Sequence, residues 1–65
     1  MEWIELDMYN RPLGYAVMKE IEPEGTIKLV VGEFDESGFL ALNYDESWAF
    51  EFQPFSKYYY KPLEV

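Results

Sequence analysis

The sequence predicts a single all-β domain over residues 1–65, built from five to six short antiparallel strands in a meander or a partly closed barrel. Three observations predict it. Gly and Pro fall singly, at intervals that punctuate short apolar-rich segments. Within those segments apolar and polar residues alternate at the two-residue period of a half-buried strand. The chain also carries 2 Trp, 6 Tyr and 5 Phe in 65 residues. A domain this short buries only about 60% of the surface its unfolded chain exposes, and aromatic rings, at roughly 150–250 Å² each, are the side chains that bury most.

The first strand is expected over Glu2 to Tyr9, where Ile4, Leu6 and Met8 alternate with Glu5 and Asp7, leaving Trp3 and Tyr9 on the outer, acidic face. Asn10-Arg11-Pro12-Leu13-Gly14 reads as a turn, because Pro suits its second position and Gly its last. Tyr15 to Ile21 admits two readings. Tyr15, Val17 and Ile21 alternate as in a strand, while Leu13, Val17 and Ile21 mark a helical stripe between Pro12 and Pro23. A helix there would hold Gly14 at a cost of about 1 kcal/mol, so the strand is adopted.

Glu22-Pro23-Glu24-Gly25 turns the chain into Ile27 to Phe34, a strand marked by the β-branched pair Val30-Val31. Asp35-Glu36-Ser37-Gly38 turns it into Phe39 to Tyr44, and Asp45-Glu46-Ser47 into Trp48 to Gln53, where Trp48, Phe50 and Phe52 share one face. Pro54 cannot donate to a ladder, so residues 54–65 are expected as a C-terminal edge strand or tail. The core expected from this alternation is Ile4, Leu6, Val17, Leu29, Val31, Leu40, Leu42, Phe50 and Phe52.

Ala41-Leu42-Asn43-Tyr44-Asp45-Glu46-Ser47 resembles, over these residues only, the Ala-Leu-Tyr-Asp-Tyr opening of an SH3 domain. In that family a paired Trp follows and lines the peptide groove. Here that Trp pair is absent, and no SH3 function is carried over. An SH3- or OB-like, partly closed barrel stands beside the open meander as the expected architecture.

Phe34-Asp35-Glu36-Ser37 and Tyr44-Asp45-Glu46-Ser47 repeat one motif. Successive hairpins of a meander turn at opposite ends, so the two copies are expected at opposite poles. One pole collects Asp7, Glu33, Asp35 and Glu36 with Arg11 and Lys57. The other collects Glu2, Glu20, Glu22, Glu24, Asp45 and Glu46, with Lys19 and Lys28 set back along their strands. A six-residue strand spans roughly 20 Å and the physiological Debye length is about 8 Å, so the poles act as separate surfaces.

The formal charge is −8, and the chain has no His and no Cys. No nucleophile stands beside a base, so no catalytic residue and no enzyme activity is expected. The acidic turns lack the alternating spacing of an EF-hand loop, and neither a metal nor a cofactor is expected. The start Glu2-Trp3-Ile4-Glu5 has neither the basic stretch nor the apolar run of a signal peptide, so a cytoplasmic location is expected and no membrane partner.

Acidity disfavours phosphate backbones and favours a basic protein surface. The function expected is therefore non-enzymatic protein binding, by an inhibitor or adaptor resembling the compact acidic inhibitors that phages encode. Its carboxylates would imitate the phosphates of a nucleic acid on a partner that otherwise binds one. The residues expected to carry it are Glu2, Glu20, Glu22, Glu24, Asp45 and Glu46 with the outer aromatics Trp3, Tyr9, Tyr58, Tyr59 and Tyr60. Two alternatives stand beside it: a homo-oligomer closed by those aromatics, and single-stranded nucleic-acid binding by Lys57-Tyr58-Tyr59-Tyr60-Lys61, which interleaves bases with rings.

Overall fold

The computed structural model describes residues 2–43 and 45–63. Tyr44 of the second motif copy, the expected end of its strand, lies outside them. The strands are β1 (Ile4–Glu5), β2 (Gly14–Ile21), β3 (Ile27–Asp35), β4 (Gly38–Asn43), β5 (Glu46–Ala49) and β6 (Lys57–Pro62). They form one antiparallel sheet in the order β1-β6-β2-β3-β4-β5, not closed into a barrel. The all-β class and strand number are as expected, and β2 to β5 form a meander. The last strand is the departure: β6 lies between β1 and β2, pairing Tyr60 with Ile4 on one side and with Met18 on the other.

The region read as helix or strand is strand β2. Its partners β3 and β6 take up its backbone hydrogen bonds alternately, which a short Gly-containing helix would have had to satisfy alone. The expected strand Glu2 to Tyr9 shrinks to Ile4–Glu5, because the carboxylate of Asp7 accepts the Tyr9 N–H at 2.9 Å and the Asp7 carbonyl accepts that of Asn10 at 3.1 Å. That local bonding bends the chain away from the sheet just past Leu6.

The core differs in face from the expectation. Leu6, Ala16, Met18, Phe34 and Phe39 form it, with Val30, Phe50, Phe52, Tyr58 and Tyr60 packed against them. Val17, Leu29 and Val31 lie on the opposite, outer face, Leu29 and Val31 being 64% and 47% exposed. Leu40 and Leu42 share that face and are half-buried, and Ile4 is 45% exposed at the sheet edge. The reason is that β2, β3 and β4 are apolar on both faces, so alternation defines two faces without saying which turns inward. The larger side chains decide: Phe34 and Phe39 meet with ring centroids 4.6 Å apart, and Tyr60 sits edge-on to Phe34.

Gly32 permits that contact. A Cβ there would stand 2.7 and 2.9 Å from atoms of the Phe39 ring and collide with the Leu40 carbonyl. Beyond β5 the chain folds back over the core face, where Phe50 and Phe52 meet Tyr58 edge-to-face at 6.1 and 4.9 Å.

Candidate functional site

The outer face of β2 and β3 is an apolar surface that no strand among the described residues covers. Ladder pairs set Val17 beside Val31 and Ile21 beside Ile27, with Leu29 between them opposite Lys19. Ile27 is 60% exposed and Tyr15, on the same face, 46%. Burying such residues against water is favourable at roughly 25 cal/mol per Å², and clustered exposed apolar side chains on a small domain mark an interaction surface.

Beside this apolar half, the outer faces of β2 and β6 carry the cations. Lys19, Lys57, Tyr59 and Lys61 share the face by strand parity. Trp3 joins them from the chain start, its ring centroid 4.6 Å from the Lys19 ammonium and 4.5 Å from that of Lys61, and Tyr59 lies 5.3 Å from Lys19. These are cation–π contacts of the kind worth roughly 0.5–1 kcal/mol at exposed sites.

Among the described residues no strand pairs with the β3 edge that adjoins the apolar surface at Ile27 and Leu29. The Glu22 N–H donates to the Thr26 carbonyl at 2.9 Å, which sets the phase of the β2–β3 ladder. Hydrogen-bonded pairs alternate along such a ladder, so Lys28 and Val30 exchange bonds with β2 while Ile27 and Leu29 direct their backbone N–H and C=O groups away from it. On that far side the pairing with β4 begins only at Gly32, opposite Ala41. Among the described residues none pairs with Ile27 or Leu29 there.

Acidic turns stand at this end of the sheet. Glu22 and Glu24 belong to the β2–β3 turn, closed by the Gly25 N–H donating to the Glu22 carbonyl at 2.8 Å, with Gly25 at φ 100°. Asp45 belongs to the β4–β5 connection, which the meander brings to the same end, and Glu46 opens β5 there, opposite Asn43, rather than lying in the turn expected over Asp45-Glu46-Ser47; both are exposed. The Lys28 ammonium lies 2.7 Å from the Glu22 carboxylate. Glu22 is held below its ordinary value, first by its hydrogen bonding with Glu24 and then by Lys28. Lys28 is raised, chiefly by its hydrogen bond to Glu22.

Several expected site residues lie elsewhere. Glu2 precedes β1, which pairs antiparallel to β6 and therefore runs parallel to β2, so the chain start lies at the opposite end of the sheet from the Glu22 turn. Lys57 pairs with Ile21 and belongs to the Glu22 end, not to the end that holds Asp35. Both displacements follow from the insertion of β6. Glu20 faces the core side, 5% exposed, and its carboxylate accepts the Tyr58 hydroxyl proton at 3.2 Å while that hydroxyl accepts the Gln53 N–H. Burial raises the Tyr58 hydroxyl above its ordinary value.

Tyr58 and Tyr60 pack on the core rather than forming an outer aromatic surface, since both pair with inward residues of β2. Tyr9 is fully exposed, on the connection that leads to Arg11. Arg11 donates to the Glu36 carbonyl at 3.3 Å, tying that connection to the β3–β4 turn as the charge reading expected.

Of the expected residues, then, Glu22, Glu24, Asp45 and Glu46 keep to one end of the sheet on two separate connections, and Trp3 and Tyr59 gather about Lys19 on the outer face. Tyr15, Val17, Ile27, Leu29 and Val31 join the surface from outside the expected set. Gly32 and Phe34 share the opposite parity of β3, and the pairing of Phe34 with Phe39 marks that parity as the core face.

Among the described residues no group of three or more His, Cys, Asp or Glu is placed to hold a metal ion, and no helix is long and apolar enough to cross a membrane. No protein-family model, curated protein or solved structure matches the chain.

Proposed function

We propose that this chain is a non-enzymatic protein-binding module, acting in the cytoplasm, which docks its outer apolar face and the adjoining acidic turns on a basic protein surface. The observation that carries this reading is the exposure of Ile27, Leu29 and Val31 on one face of β3, the strand that leads out of the acidic Glu22–Gly25 turn. Apolar side chains supply affinity through burial, and the acidic rim accelerates encounter with a basic partner and selects against acidic ones. A nucleic-acid-binding protein is the partner class this charge suits, since a carboxylate cluster imitates phosphates electrostatically. The module would then act as an inhibitor or adaptor.

The test is a quantitative pull-down from a cytoplasmic extract with three baits. They are the parent, a variant neutralised at Glu22, Glu24, Asp45 and Glu46, and a variant carrying Leu29→Thr and Val31→Thr. Each variant is expected to lose the parent's specific partners. Retention of the same partners by both would show that this surface is not the binding site.

A second reading is favoured by one observation, the gathering of Lys19, Lys57 and Lys61 with Trp3 and Tyr59 on one face. Such a face offers phosphate contacts and rings for stacking to a single-stranded nucleic acid. A titration with a fluorescent single-stranded oligonucleotide at low salt decides it, because absence of binding there eliminates an electrostatically driven contact.

A further inference from the structure

We propose that the open edge of β3, Ile27–Leu29, receives an extended strand from the partner, which continues the sheet by backbone pairing and carries Lys or Arg at the end beside the Glu22–Gly25 turn. The proposal rests on the protein-binding reading and names its mechanism. The outward N–H and C=O groups of Ile27 and Leu29 form a template that another extended chain satisfies. The other edges are short, β1 spanning 2 residues and β5 spanning 4. Small domains commonly guard an edge with a lysine. Here the only lysine of the segment, Lys28, is drawn back to Glu22 at 2.7 Å, which leaves the template without a free positive charge.

The occupant's chemistry follows from parity and charge. Residues opposite Ile27, Leu29 and Val31 would extend the outer apolar face, so they are apolar. Residues just beyond the Ile27 end meet the Glu22 and Glu24 turn, so they are basic, whereas at the other end Ala41 already stands opposite Gly32. A second copy of this chain fits less well. Antiparallel self-pairing about Leu29 directs the Glu22–Gly25 turn of each copy towards the β4–β5 end of the other, acid against acid, between chains that each carry −8.

The probe is the peptide acetyl-Lys-Val-Thr-Val-Thr-Val-Lys-amide, titrated into the 15N-labelled protein. Its controls are the same peptide N-methylated at the central Val, which keeps the charge and removes a pairing donor, and a peptide with Glu at both ends. Leu29→Pro is the protein control. The Leu29 N–H points to the open edge, so Pro there leaves the β2–β3 hydrogen bonds intact.

The Lys-ended peptide is expected to shift the amides of Ile27, Leu29 and Val31 most. N-methylation, Glu ends and Leu29→Pro should each weaken binding at least tenfold. Strand addition is overturned if the N-methylated peptide binds as tightly as the parent peptide, if the Lys-ended peptide produces no shifts at millimolar concentration, or if the shifts fall on the acidic turns without Ile27 and Leu29. Equal binding of the two Lys-ended peptides would leave the acidic docking reading standing while removing strand addition. Concentration-dependent dimerisation abolished by Leu29→Pro would assign the edge to a second copy and likewise overturn the proposal.

Discussion

At the scale of single residues, the repeated aromatic-Asp-Glu-Ser motif resolves into one residue with a defined job. The Asp35 carboxylate accepts hydrogen bonds from the Ser37 N–H at 2.9 Å, the Ser37 hydroxyl at 2.8 Å and the Gly38 N–H at 2.9 Å. It therefore organises the β3–β4 turn. Bonding to the Ser37 side chain and then to the Ser37 and Gly38 amides holds Asp35 below its ordinary value of 3.8. A group depressed on folding contributes stability above its unfolded value and loses it as pH falls through the folded one. Asp35→Ala is thus expected to lower the thermal midpoint at neutral pH. The gap from the parent should close on acidification below 3.8, which a melting series by circular dichroism follows. A gap that does not change with pH would show that the carboxylate charge is irrelevant to the turn.

At the scale of elements, β3 combines a paired half with an open half, and Gly32 stands at the junction. Gly32→Ala drives a methyl group into the Phe39 ring and the Leu40 carbonyl, and overpacking of this kind costs about 3 kcal/mol. Urea denaturation measures that loss. Leu29→Thr tests the opposite property of the same strand. Leu29 is 64% exposed and Thr supplies the β-branched character that a strand favours, so the change in stability should stay within about 0.5 kcal/mol. A loss several times larger would mean that the outer face is covered. The strand identities of β2, β3 and β4 were legible from turn residues and alternation. The inward face was not, because both parities of these strands are apolar. Only the contact of Phe34, near the end of β3, with Phe39, near the start of β4, singles out one of them.

At the scale of the whole molecule, the sheet rests on a thin core. A chain of this length has roughly 3–10 kcal/mol of stability in all, and Phe34 is among the largest fully buried side chains. Phe34→Ala removes about 3–5 kcal/mol, so that variant is expected to be largely unfolded at 25 °C. Collapsed chemical-shift dispersion in a proton NMR spectrum would report it, and retained dispersion would mean that Phe50, Phe52 and Tyr60 refill the space. The same thinness explains why Tyr58 and Tyr60 turn inward: β6 enters between β1 and β2 and its aromatics complete the cluster that the other strands leave open.

By itself the sequence determined the all-β class, the turns around Glu22–Gly25 and Asp35–Gly38, and the acidity of the Glu22–Glu24 and Asp45–Glu46 segments, while β5 begins at Glu46 and ends at Ala49 instead of spanning Trp48 to Gln53. These follow from local chemistry: Gly and Pro where the chain turns, alternation where it extends, and fixed charges that no packing removes. Tertiary structure decided which side of the sheet is core, where β6 inserts, and therefore at which end Glu2 and Lys57 lie. Those outcomes depend on contacts between residues far apart in the chain, such as Tyr60 with Phe34 and Ile4 with Tyr60. A two-residue period carries no information about either. The open β3 edge belongs to the second group, since it exists only because β4 first pairs at Gly32.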